Sequence, residues 1–96
     1  MDAPETNPEL GEMILEVVQN QIRDHDPPET RQTFERLKSE GYTADEARRL
    51  ISTAVTVELF HMTRDRQPFQ KARFVWNLDH LPRAPWDKDG MEFYEG

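Results

Sequence analysis

The sequence predicts an all-α fold: a compact bundle of four helices over approximately residues 8–24, 27–40, 44–64 and 68–80, with an irregular C-terminal tail. Three observations carry that prediction. Apolar residues recur at steps of three and four, the period of one helix face. Prolines and capping residues fall between those runs, where helices start and stop. No window alternates apolar and polar residues as a half-buried strand does, and Asp89-Gly90, the one hairpin-like pair, precedes only a short end.

The first helix opens with Asn7 as N-cap and Pro8 at the first helical position, where a missing N–H costs nothing. Leu10, Met13, Ile14, Val17, Val18 and Ile22 then fall on one stripe. The stripe ends at Asp24-His25-Asp26, and Pro27-Pro28 forbids continuation. Asp26 and Glu29 have the spacing of a capping box for the second helix, whose inward face is thin: Thr30, Thr33, Phe34 and Leu37. Its outward face carries Arg31, Glu35, Arg36 and Lys38, and Gly41 supplies the left-handed residue that stops it.

The third helix has the clearest start, a capping box at Thr43-Ala44-Asp45-Glu46, with Tyr42 placed to staple onto Ala47. Ala47, Leu50, Ile51, Ala54, Val55 and Met62 form a wide stripe, and Val57, Leu59 and Phe60 spread apolar groups further round. A helix apolar on nearly all sides is central in its domain or packs on a second copy. The fourth helix is expected to begin near Pro68 and to end before Pro82. Phe69, Ala72 and Trp76 lie on one side of it, and Phe74, Leu78 and Leu81 on another, so one face is expected to meet a partner or the tail. Residues 1–81 read as one domain with a flexible start at 1–6. Residues 82–96 read as a Pro/aromatic acidic tail, holding Trp86, that either packs back or orders on binding.

Composition narrows the function classes. With 96 residues there is room for one domain, and the absence of cysteine excludes disulfide scaffolds and Cys-ligated metal sites. The acidic, Pro-interrupted start lacks the pattern of a secretory signal, and no apolar run approaches the length needed to span a membrane, so a cytoplasmic location is expected. A formal net charge of −7 disfavours nucleic-acid backbones as partners. Arg64, Arg66, Lys71 and Arg73 make a local basic exception, read as solvated surface. No phosphate loop, nucleophile constellation or cofactor motif is legible, so the expectation is a chain without cofactors or catalytic residues.

Two polar residues fall on apolar stripes. Glu58 sits in line with Ala47, Ile51 and Ala54, and Gln21 with Leu10, Ile14 and Val17. A buried charge is costly unless paired, so both positions need partners. The plain reading is a hydrogen bond between Glu58 and Gln21, or from each to backbone. The sharper reading takes Glu58-Leu59-Phe60-His61 as Glu-x-x-His on one helix face, the spacing used by metal-binding carboxylate bundles. Glu58 and His61 are then candidate metal ligands, with a dimer supplying the second such pair and Glu16 an additional ligand, although Glu16 points off the first helix's stripe.

The run Asp26-Pro27-Pro28-Glu29, with Arg36-Leu37, Gly41-Tyr42, Glu46-Ala47 and Leu78-x-x-Leu81, resembles a group of small uncharacterised bacterial proteins over residues 13 to 81. These residues are helix punctuation and core. The resemblance implies a bacterial, cytoplasmic helical domain and carries over no catalytic residue. The function expected from the sequence is a protein–protein interaction or self-association module, a homodimer in the simplest case, using Phe60, Phe74, Trp76, Leu78 and Trp86. An apolar patch left on so small a chain usually marks a contact. The rival is a metal- or small-ligand-binding bundle centred on Glu58 and His61.

Overall fold

A computed structural model describes residues 8–83. Four helices make up nearly all of it: α1 (Pro8–Asp24), α2 (Pro28–Ser39), α3 (Ala44–Arg64) and α4 (Lys71–His80), with no strand among the described residues. The all-α, four-helix expectation therefore holds. The Asn7 cap, the start at 1–6 and the tail from 84 onward, Trp86 included, lie outside the described residues.

Every pair of helices is in contact except α1 and α4. The α2–α3 pair is thus the middle of the molecule, with α1 on one side and α4 on the other. The third helix is central as expected, touching all three others, and α2, thin as its apolar face is, shares that place. The core comprises Val18 of α1, Phe34 and Leu37 of α2, Ala47, Ile51 and Ala54 of α3, and Phe74, Leu78 and Leu81 at the far side. α3 gives the core two small side chains seven apart, Ala47 and Ala54, with Ile51 between them, and most of the larger ones come from the other helices.

The helix ends explain most of the chain's turns. At the end of α2 the Tyr42 amide donates to the Leu37 carbonyl at 3.1 Å and the Gly41 amide to the Lys38 carbonyl at 3.1 Å, with Gly41 at φ +106°. That is a Schellman closure, and it requires the residue that glycine supplies. α1 ends the same way without glycine: the Asp26 amide reaches the Gln21 carbonyl and His25 takes φ +53°. Asp26 is thereby committed to closing α1. The expected Asp26–Glu29 capping box does not form; Pro27 is the N-cap of α2, with no side-chain cap bond. Pro28 at the first helical position has no amide to satisfy, and the Thr30 amide donates to the Pro27 carbonyl, so little is left for a cap to do.

The Thr43 box, by contrast, is complete. The Glu46 amide donates to Thr43 Oγ1 at 3.1 Å, and the Thr43 amide donates to Glu46 Oε1 at 2.9 Å. The fourth helix starts at Lys71, not at Pro68. Residues 65–70 run as a connection whose amides are used elsewhere: Gln67 donates to the His61 carbonyl, and Gln70 to the Glu58 carboxylate. At the other end of α4, Arg36 reaches across from α2 and donates Nη2 to the carbonyls of Leu78 (3.0 Å) and Leu81 (3.2 Å). Arg36 was expected on an open face. It is instead partly buried, satisfying carbonyls that a helix end leaves free and placing a cation at the negative end of the dipole. Arg36 at one end and the Glu29–Lys71 ion pair (3.7 Å) at the other set α2 and α4 parallel.

Candidate functional site

α3 places Glu58 one turn beyond Ala54, on the stripe of Ala47, Ile51 and Ala54, which turns it into the interior. Its side chain is only 2% exposed. Its partner is Arg73 of α4, whose side chain is 4% exposed. The two are joined twice: Arg73 Nε donates to Glu58 Oε2, and Nη2 to Oε1 at 3.0 Å. The Gln70 amide adds a third bond to Oε1 at 3.0 Å, and Arg73 Nη1 donates to Gln67 Oε1 at 3.2 Å. A bidentate guanidinium–carboxylate pair with these extra bonds is the arrangement in which burial of two charges is tolerated. The geometry ties the α3–α4 connection, from Gln67 to Gln70, down onto α3 from beneath.

The expected Glu58–Gln21 bond is not made. Gln21 is half-buried, and its Oε1 accepts from the Thr30 hydroxyl at 3.1 Å, linking α1 to α2. Nor do Glu58 and His61 converge as ligands. His61 Nδ1 lies 2.9 Å from Asp65 Oδ2, one turn on, and both Glu58 oxygens are held by Arg73. Glu16 is exposed on α1. No group of three or more His, Asp or Glu side chains able to hold a metal occurs among the described residues. Each member of the Glu-x-x-His pair thus has its own partner, Arg73 from α4 for Glu58 and Asp65 one turn on for His61.

The expected interaction residues divide. Phe74 and Leu78 are wholly buried and belong to the core, so they are not contact residues; Arg36 and the core of α2 and α3 cover the face on which they lie. Trp76 is half-buried and stacked on His80, with ring centroids 3.8 Å apart. Phe60 is exposed, with the Arg64 guanidinium 5.1 Å from its ring centre. The expected basic patch loses Arg73 to the interior, while Arg64, Arg66 and Lys71 stay exposed.

Several residues now visible were not singled out as surface. Met13 is 62% exposed and Val17 43%, although both lie on the six-residue stripe of α1. Of that stripe Ile14 and Val18 are buried, Leu10 and Ile22 are half-buried, and Met13 and Val17 fall outside the arc that α2 and α3 cover. Met62 and Phe69 are exposed too, Phe69 with its ring 5.4 Å from that of Phe74. Arg73 had a signal in the sequence: Arg73, Asn77 and Leu81 are spaced four apart beside Phe74 and Leu78, on one helix face. All five are buried.

No family model, curated protein sequence or solved structure matches the chain. No helix among the described residues is long and apolar enough to cross a membrane.

Proposed function

We propose that this chain is a protein–protein interaction module that works by self-association, with no catalytic chemistry of its own. The observation that carries the proposal is the outer face of α1. Met13 and Val17, one turn apart, are exposed on a helix whose Ile14 and Val18 already fill the interior. Isolated surface apolar residues are ordinary, but two in register on a helix side that no other described helix covers form a ridge that a partner can bury. The partner is a second copy, because the same chain also displays apolar side chains framed by the opposite charge.

Light scattering from low micromolar to submillimolar protein tests the proposal. The expected result is a mass that rises above the monomer with concentration, and reverts to the monomer in a Met13→Glu/Val17→Glu variant of unchanged helicity. A wild-type chain that stays monomeric over the whole range overturns it.

A further inference from the structure

We infer that copies of this chain join head to tail, the outer face of α1 on one copy seating on the α3–α4 corner of the next. The inference rests on the self-association proposed above and specifies which surfaces meet. α1 and α4 do not touch, so the α4 side of the corner and the outer face of α1 are separate surfaces. They also differ in charge. Around Met13 and Val17 the exposed residues Glu9, Glu12 and Glu16 are all acidic, and no lysine or arginine precedes Arg23 on α1.

At the corner the sign reverses. From Phe60 to Lys71 the exposed apolar residues Phe60, Met62 and Phe69 are interleaved with Arg64, Arg66 and Lys71, against one acid, Asp65, which is paired with His61. Arg64 lies over the Phe60 ring and Lys71 is 3.7 Å from Glu29, contacts that leave both cations at the surface. Glu58 and Arg73 fix the connection from below, so the corner is presented as a built surface rather than a slack loop.

Charge decides between the ways two copies can meet. Pairing α1 with α1 sets three carboxylates against three, and pairing corner with corner sets cations against cations. Only the crossed pairing brings each apolar group to its counterpart with opposite charges around it. Such a contact uses two different patches, so each copy in a pair keeps one patch free and the pair as a whole keeps one of each kind. Growth continues to a ring or an open chain, and added salt weakens it.

A mixing experiment tests this. The face variant is Met13→Glu/Val17→Glu; the corner variant is Arg64→Glu/Arg66→Glu, which alters exposed side chains only. Phe69→Ser serves as a second corner variant if the first loses helicity. The expected result is that wild type grows past the dimer, each variant alone is monomeric, and an equimolar mixture gives a species of twice the monomer mass that does not grow. A corner variant that associates as wild type does, or a mixture that stays monomeric while wild type associates, overturns the head-to-tail contact and leaves self-association standing. A monomeric wild type removes both.

Discussion

The two ends of α3 are closed by different physics. At its N-terminal end every feature is local. Thr43 and Glu46 cap each other's amides, Gly41 closes α2, and the chain turns within four residues. At its C-terminal end the local bonds, the Asp65 and Gln67 amides on the His61 carbonyl, are joined by a remote tie: Glu58, six residues before the helix ends, is held by Arg73 from fifteen residues away, and Gln67 and Gln70 join the same network. The first end needs only residues adjacent in sequence, and each bond contributes modestly. The second depends on one pair of charges in a nearly dry interior, where both partners must be present or neither. The remote closure also holds up the part of the surface that displays Phe69, Arg66 and Lys71.

This contrast sets the order of expected effects. Arg73→Ala leaves the Glu58 carboxylate buried without its counter-ion and is expected to cost about 3–5 kcal/mol in urea unfolding, a large part of a small domain's stability. Gly41→Ala forces an L side chain to φ +106°, and about 1–2 kcal/mol of lost stability is expected, with no change in the α3–α4 end. Thr43→Ala removes one half of the capping box and is expected to cost about 1 kcal/mol, read as a small drop in the urea midpoint at constant slope. If Thr43→Ala proved as damaging as Arg73→Ala, the distinction between the two ends would be lost.

The same contrast explains what could be read from the sequence. The bounds of α1 and α3, the stop at Gly41, the box at Thr43 and the inward set Thr30, Thr33, Phe34 and Leu37 all follow from near-neighbour rules, and all are present in the structure. The start of α4 was misplaced because Pro68 satisfies the first-turn rule, whereas the Gln70 amide answers to Glu58, twelve residues back. Asp26 looked like a cap because the rule sees only Glu29; its amide was already engaged by Gln21. For Glu58, the wheel gave burial and the need of a partner but not which one. The pattern pointed to Gln21 and placed Arg73 on a solvated surface; the packing of α4 on α3 is what brings Arg73 to Glu58. The outward ridge of Met13 and Val17 was hidden for a related reason. A six-residue stripe states which side of α1 is apolar, not how much of that side its neighbours cover.

A double-mutant cycle at Glu58 and Arg73 tests the central claim most directly, with Glu58→Met, Arg73→Leu and the pair compared with wild type by urea unfolding. The account predicts that each single change costs about 3–5 kcal/mol, while the double variant lies within about 1 kcal/mol of wild type or above it. If the two costs simply add, Glu58 and Arg73 do not form the buried pair that closes α3, and the account of this end of the molecule fails.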